Sequence, residues 1–600
     1  MIQPLFYEIL ANYESKFARV IDLDYNLMND DTIIDPIYGE IVLDRRILYL
    51  TSLPLVERLA RIKQLALTYL VYQGANHSRL EHSLGVSHLL TKFPSDLSVD
   101  DSVTLQIVGL LHDLGHSGWG HALDGVVGRL ISEVLVEGSL SEESPFFSYK
   151  KLDIAIVSYL LLHNDQLTNA LNNVARSLTS DNALSYVENP SRLRDVVASV
   201  ISEEENGYEL FCKWIDSSPK AIEKIHYFIE LLGRDINCDR VDWVVRDAHH
   251  AFHMVTAYTG SIEKVSKNRE LLKTRNKRGG ALVNKAEYLK NLKNATKAVR
   301  EELYNKVYEG TEKSFMDSLL VRLVYSCLMV LSAYGNATAS PSTKSRVMMG
   351  YIFLPDEELS HYTESILNVA SQVPGIDQAS LNFIRGSDEL QQSIFKNMRV
   401  VMSLIRNNFR PAKAIRPYEG SNLKKIGKLR IGYREFSVSY LDIDWFMAKV
   451  LSGNGLTSKH TLPSHLTQVE AWVLMNQFLN DMRIDVISSL EVYKIEEAIN
   501  QLVRDQNKAN SDFRVYLLPN YYFLRSLTED LEDPKSSIGK GDIFKDFWQM
   551  LIKKHAHRPI FFILTKGSGS EDVYAIIENE ITNKFGEIIQ NWSREIKNRT

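Results

Sequence analysis

The sequence predicts a mostly α-helical protein that ends in a smaller mixed α/β domain. Apolar residues recur three and four apart over about residues 45 to 405, the spacing of a buried helix face. Alternating, strand-like segments appear chiefly after residue 400. The chain has 600 residues, too many for one compact core, and its 16 Pro and 30 Gly leave little room for long linkers.

Residues 1–44 form an N-terminal segment. In it DPIYGEIVL (Asp35 to Leu43) reads as a turn followed by a short strand. The opening MIQPLFYEILANYESKF has acidic residues early and no small-residue cleavage site after an apolar stretch, so no signal peptide is expected. Residues 45–400 form the helical core, with Leu105 to Leu114 and Leu319 to Leu331 as its plainest apolar faces. The longest strongly apolar run, Leu323 to Tyr334, has twelve residues and follows Arg322. A membrane span needs ~20 residues, so this run is expected to be a buried helix. GNATASPSTKS (Gly335 to Ser345) is small and polar and reads as a loop.

Residues 401–600 form the α/β domain. It opens with nine Lys or Arg against one acid between Leu404 and Arg434. Strand candidates follow at Leu429 to Leu441, Phe513 to Leu518 and Pro559 to Thr565, with helical stretches between them. GSGS (Gly567 to Ser570) lacks the Gly-Lys-Ser/Thr of a phosphate loop and reads as a surface turn.

Composition excludes several classes. With 44% hydrophobic and 24% charged residues the chain is not disordered, and a net charge of -6 argues against a protein coated in nucleic acid. Cys212, Cys238 and Cys327 form no CxxC pair, so neither a disulfide scaffold nor a cysteine-ligated zinc site is expected. A soluble protein of the reducing cytoplasm fits.

Three segments supply ligand-type residues. NHSRLEHSLGV carries Arg79 and His82, three apart and therefore on one helix face. GLLHDLGHSGWGHALD carries the adjacent His112 and Asp113, then His116, His121 and Asp124. INCDRVDWVVRDAHHAF carries Asp239, Trp243 and Asp247 at i, i+4 and i+8, one stripe of a helix. Five of the 16 histidines fall between positions 77 and 116. A His-Asp pair ending an apolar helix needs a partner for its charge, and a divalent metal is the simplest one. Two His and two Asp suit a borderline-hard ion that keeps positions for water and phosphate oxygen. A guanidinium beside them would hold a phosphate.

His82, His112-Asp113 and Asp239 resemble the H…HD…D signature of the HD-domain phosphohydrolases. The segments DPIYGEIVL, RIKQLALTYLVYQGANHSRLEHSLGV, GLLHDLGHSGWGHALD, DRVDWVVRDAHH and the weaker LYNKVY run in order over roughly residues 31 to 310. They are similar to the deoxynucleoside triphosphate triphosphohydrolases (dGTPase-like), in the branch of the vertebrate enzyme that joins a SAM domain to an HD domain. Residues 401–600 carry no such resemblance.

The resemblance implies an HD-domain helical core and a divalent metal (Mn2+, Mg2+, Fe2+ or Zn2+) held by His82, His112, Asp113 and Asp239. It implies that Arg79, His116, His121 and Arg240, where the family has Lys, surround a triphosphate. Asp124 would orient a neighbouring His. Gln64, Leu65 and Tyr304 would face the sugar and base, Asp247 would receive the sugar 3′-hydroxyl, and Trp243 stands where the family commonly has Tyr. The implied reaction is hydrolysis of dNTP to deoxynucleoside and triphosphate, in a nucleotide-regulated homo-oligomer that controls dNTP pools or depletes them against viruses.

Two departures stand out. The family's His-Glu pair, whose His can protonate the leaving oxygen, has no counterpart, since no His lies between His121 and His163. PFFSYKKLDIAIV places Tyr149 there, or Lys151 in a shifted register. At the family's guanine-nucleotide activator site the chain has Asp31, Ser52, Glu57 and Ala60, so GTP is not expected to activate. The basic stretch, with Arg406, Arg410, Lys413, Arg416, Lys424, Lys425, Lys428 and Arg430, is either a cradle for a different nucleotide effector, or a solvated linker face or acidic-partner surface. Two further readings compete. One is another HD phosphohydrolase acting on a nucleoside monophosphate, a cyclic nucleotide or single-stranded nucleic acid. The other is a catalytically weak nucleotide sensor, motivated by the missing His-Glu pair.

Overall fold

The computed structural model describes residues 29–92, 98–120, 164–178, 188–202, 218–233, 238–252, 296–308, 310–337, 354–408, 421–451, 490–506, 508–520 and 558–599, with isolated positions between 157 and 186. Helices dominate, and the strands near the C-terminal end form one small sheet, so the chain is mostly α with a mixed α/β C-terminal region.

The first of two compact units begins with an antiparallel hairpin, β1 (Asp31–Asp35) and β2 (Gly39–Leu43), in which Asp31 faces Leu43. Asp35 builds its turn: Oδ1 accepts the N–H groups of Ile37 at 2.8 Å and Tyr38 at 2.9 Å, and Gly39 takes φ +73°. Sequence reading finds the turn and β2 but misses β1. DTIID is mostly exposed, so only its pairing with β2 makes it a strand.

Then come α1 (Arg45–Thr51), α2 (Arg79–Lys92) and α3 (Val99–Leu111). A Cβ on Gly109 of α3 would lie 2.5 Å from the Ser87 backbone of α2, so glycine is what lets the two helices approach this closely. Further on, α5 (Ser191–Ile201) packs on α3 and takes α4 (Asp165–Arg176) and α6 (Pro219–Leu232) against it, and α7 (Cys238–Phe252) lies against α2.

The second unit holds α8 (Thr311–Ala337), most of α9 (Asp356–Val369), α10 (Gln378–Ser393), α11 (Met398–Asn408), β3 (Lys424–Ile431), β4 (Arg434–Asp442), α12 (Leu490–Asp505), β5 (Arg514–Pro519), β6 (Pro559–Lys566) and α13 (Asp572–Arg599). Its sheet runs β3-β4-β6-β5 with every pair antiparallel. Phe315 of α8 meets Phe562 of β6 edge-on at 5.3 Å. Packing thus groups α8 with the sheet, and the division falls elsewhere than the change in composition near residue 400.

Three other expectations change. Leu429 to Leu441 is two strands rather than one, because Gly432, at φ +61°, reverses the chain and sets Ile431 opposite Arg434. Residues 335–337 of the expected loop belong to α8, which runs through Ala337, and the rest of it lies outside the described residues. The apolar part of α8 is also longer than the twelve-residue run. Thr311–Leu331 has the length and mean hydropathy, 1.6, of a membrane span, but 89% of it is buried inside the protein. The GSGS turn lies as read, just after β6, with Gly567 at φ +82° and Gly569 bridged to Ala509.

In the basic stretch, Arg406 pairs with Glu312, Lys424 with Asp442 and Asp444, and Lys428 with Glu435. Those cations already have acidic partners within the chain. Arg410, Lys413 and Arg416 lie outside the described residues.

Candidate metal centre

A capping box sets the start of α2. Ser78 Oγ accepts the Glu81 N–H at 3.2 Å, and Glu81 Oε1 accepts the Ser78 N–H at 3.2 Å. Arg79 and His82 therefore leave the first turn on one face. At the other side, α3 ends with His112 as its C-cap, and the His116 N–H returns to the Asp113 carbonyl at 3.2 Å in a tight turn. α7 brings Asp239 to the same place.

The four expected ligands converge. His82 Nε2 lies 3.1 Å from Asp239 Oδ1 and 3.7 Å from Asp113 Oδ2. His112 Nε2 lies 3.5 Å from both Asp113 Oδ1 and Asp239 Oδ1. Donor atoms of His82, His112 and Asp113 all fall within 4.8 Å of one another.

Both imidazoles are set to present Nε2. His82 Nδ1 is engaged by Asp242 Oδ2 at 2.7 Å, and His112 Nδ1 by the Gly109 carbonyl at 2.8 Å. His112 Nε2 is buried and makes no hydrogen bond among the described residues. A buried nitrogen lone pair aimed at two carboxylates fits a divalent cation. Two nitrogens and one or two carboxylate oxygens do not single out which one.

The charges agree. Burial disfavours the His82 imidazolium, but Asp239, Asp242 and Asp113 outweigh it and hold its pKa up at about 10. Burial likewise works against ionised Asp239, yet His112 and His82 keep it well below the usual carboxylate range. Asp113 is also held low against burial, by His112, Arg79 and His116. A metal would take the place of the Nε2 proton.

Arg79, almost fully buried, donates NH1–H to Asp113 Oδ2 at 2.7 Å, while its Nε and NH2 make no hydrogen bond among the described residues. The segment after Asp113 wraps it. Gly120 has φ +51°, and a Cβ there would lie 2.8 Å from Arg79 NH2. Trp119 also has a left-handed backbone, φ +60°, and its N–H is held by Asp356 Oδ1 at 2.8 Å. His116 Nε2 lies 3.3 Å from Asp113 Oδ1.

The remaining expected residues are more scattered. On α7 Asp247 is buried and bonded to His77, Trp243 is half-buried, and Arg240 is exposed beside Asp239. Leu65 is buried, and Gln64 Oε1 is buried without a hydrogen-bond partner among the described residues. The Tyr304 ring lies 4.5 Å under the Arg300 guanidinium. Asp31, Glu57 and Ala60 are exposed, and Ser52 Oγ is spent on the Tyr49 carbonyl at 2.6 Å. His121, Asp124, Tyr149 and Lys151 lie outside the described residues.

Sequence reasoning misses a supporting chain. Asp242, which orients His82, receives Arg246 Nε–H at 2.9 Å and NH2–H at 3.0 Å; Arg246 NH1 in turn reaches Asp35 Oδ2 at 2.8 Å. The hairpin is thus tied to His82 through buried charges. Gly85 makes room for it: a Cβ there would lie 2.0 Å from Asp242 Oδ1. The signal available in sequence was the DPIYGEIVL segment and an Asp three positions after Asp239.

Comparison with known proteins agrees with this geometry. The HD domain family matches residues 79–169. Deoxynucleoside triphosphate triphosphohydrolase SAMHD1 of Xenopus laevis is 28% identical over 236 residues, covering 36% of this chain and 33% of that protein. The Homo sapiens protein of the same name is 38% identical over 120 residues, 18% of this chain and 19% of that one. An uncharacterised protein of Methanocaldococcus jannaschii, MJ1154, is 41% identical over 92 residues, 15% of this chain and 20% of its own. The chain therefore spans at most about a third of the length of these relatives. Residues 79–169 thus match the HD domain family, and in the regions compared the chain is similar to proteins named deoxynucleoside triphosphate triphosphohydrolase.

Proposed function

We propose that the protein hydrolyses dNTPs to a deoxynucleoside and inorganic triphosphate. The observation that carries this reading is the convergence of His82, His112, Asp113 and Asp239, with Arg79 bonded to Asp113, inside segments similar to proteins named for that reaction. A divalent ion there would supply activated water and a polarised phosphoryl oxygen.

The chain's own groups do the rest. Arg79 NH1 holds Asp113, and its buried Nε and NH2 suit phosphate oxygens, because a guanidinium can bind two at once. His116, beside Asp113, adds a second nitrogen donor, with His121 and Arg240 as further phosphate partners. Asp247 and Gln64 serve the sugar, and Leu65, Trp243 and Tyr304 wall the nucleoside. Tyr149, or Lys151, protonates the leaving 5′-oxygen, although neither has a pKa near 7 without help from its surroundings. The active form is a homo-oligomer whose nucleotide effector is not GTP.

The test is incubation of the purified chain and Mn2+ with each dNTP, singly and mixed, followed by product separation. Triphosphate with deoxynucleoside is the expected result. Other cleavage products would point to another phosphohydrolase, and binding without turnover to a sensor.

A further inference from the structure

Asp247 is bonded to a residue that no motif singles out. His77 Nε2 lies 2.7 Å from Asp247 Oδ1, and the two side chains are 0% and 3% exposed. His77 Nδ1 is buried and makes no hydrogen bond among the described residues, so the ring proton belongs on Nε2 and is donated to the carboxylate. The ring cannot rotate away. It stacks on His250, with centroids 4.4 Å apart and planes 20° apart, and His250 Nδ1 is held by the Gly74 carbonyl at 3.1 Å. Burial and the neighbouring His77 bring His250 down to about 4, so it is a neutral ring at pH 7.

The main chain of the same residue anchors a second polar group. The Gln64 N–H donates to the His77 carbonyl at 3.0 Å, and Lys63 bridges to Ser78. Gln64 Oε1 is buried without a hydrogen-bond partner among the described residues. One residue therefore fixes the carboxylate of Asp247 through its side chain and the backbone of Gln64 through its carbonyl.

We propose that His77 is a positioning residue for 3′-hydroxyl selection, holding Asp247 and Gln64 in the geometry that accepts one sugar hydroxyl. This rests on the dNTP hydrolase reading. A hydroxyl-binding site discriminates only when its buried groups are left unpaired by the analogue that lacks the hydroxyl. That requires an acceptor that cannot swing to another partner, and the His77 hydrogen bond supplies it. A merely structural tether between α7 and the segment at 62–78, which carries a short 3-10 helix at Ala66–Leu70, would be indifferent to the sugar.

The experiment compares kcat/KM on each dNTP and its 2′,3′-dideoxy counterpart, with Mn2+, for the wild type, His77→Phe, His77→Gln and Asp247→Asn. Phe keeps a flat ring on His250 and removes the donor; Gln keeps an N–H near the Nε2 position. His77→Phe is expected to lower dNTP turnover on the order of 10²-fold, the typical loss for a group displaced by about an ångström, and to leave the dideoxy substrate within about threefold. The preference for the 3′-hydroxyl then collapses as in Asp247→Asn, and His77→Gln restores most of it. His77→Asn, polar but too short to reach Asp247, takes the place of Phe if that variant does not fold. Equal losses on both substrates, or an unchanged ratio in every His77 variant, would overturn the inference alone. A wild type that releases no triphosphate from any dNTP would overturn the proposed function and this inference with it.

Discussion

Arg79 of the first unit and Arg322 of the second are each buried against an acid, and the two are bonded differently. In the second unit the Arg322 guanidinium is closed on every side. Glu496 takes both terminal nitrogens, Nε–H reaches Ser387 Oγ at 3.1 Å, NH1–H also reaches the Leu517 carbonyl at 3.1 Å, and the Phe383 ring lies 4.1 Å away. Glu496 in turn accepts the Leu517 N–H at 2.9 Å. In the first unit Arg79 makes one bond, to Asp113, while its Nε and NH2 and the Nε2 of neighbouring His112 have none among the described residues. Unmade hydrogen bonds on buried charges are costly. A network that is complete holds α8, α10, α12 and β5 together; one left open at several atoms is shaped to receive something else. Burial of charge alone would not have told them apart.

The sharpest way to break the comparison is to remove the ligands. His112→Ala with Asp113→Ala should abolish bound metal, measured by elemental analysis, and cut hydrolysis by more than about 100-fold, the upper end for changes one layer further out. The circular dichroism of the folded chain should not change, because both residues lie where α3 ends. Comparable turnover in this variant would mean that the open cluster is not the site.

At the closed cluster the expected loss is in stability. Arg322→Met leaves Glu496 buried and unpaired, which typically costs about 3–5 kcal/mol. Adding Glu496→Leu should recover much of it in denaturant titrations. Metal affinity of the folded protein should stay the same in both variants. A loss of metal affinity without a loss of stability would erase the distinction drawn between the two units.

A smaller effect separates the ligands from their support. Asp242→Asn leaves all four ligands in place but loosens His82, so metal affinity should fall about 10- to 100-fold. Gly85→Ala should act in the same direction, since its Cβ would need the space of Asp242 Oδ1. Titration calorimetry reads both, and wild-type affinity in Asp242→Asn would show that the Asp35–Arg246–Asp242 chain is only a tether.

The smallest signal is a proton. With its pKa at about 10 in the folded chain against 6.5 for an ordinary His, His82 is protonated at pH 8. A metal at Nε2 must displace that proton, so binding at pH 8 should release it, together with any carried by His112, whose pKa Asp113 and Asp239 also raise against burial, and affinity should climb with pH towards 10. Calorimetry in two buffers of different ionisation enthalpy measures it. The same shift sets the sign for the metal-free fold: the imidazolium's contribution is complete below pH 6.5 and is lost as pH rises through about 10.

What the sequence determines by itself is what short spacings determine. Arg79 and His82 share a face because they are three apart in a helix, His112 and Asp113 are neighbours, and apolar residues three and four apart mark the buried sides of α3 and α8. Those features follow from helix geometry, so the core and the candidate ligands at the ends of α2 and α3 are legible. The rest depends on groups brought together from far along the chain. His82 meets Asp239 across 157 positions and Asp242 across 160, and Arg246 meets Asp35 across 211. Nothing local distinguishes Asp242 from an exposed acid, or His77 from any other histidine before a helix. The turn at Gly432 and the grouping of α8 with the sheet are equally silent, because both regions keep their apolar pattern through the boundary. Only tertiary packing, through the close approach that Gly85 and Gly109 permit, decides which buried charges face each other and which are left open.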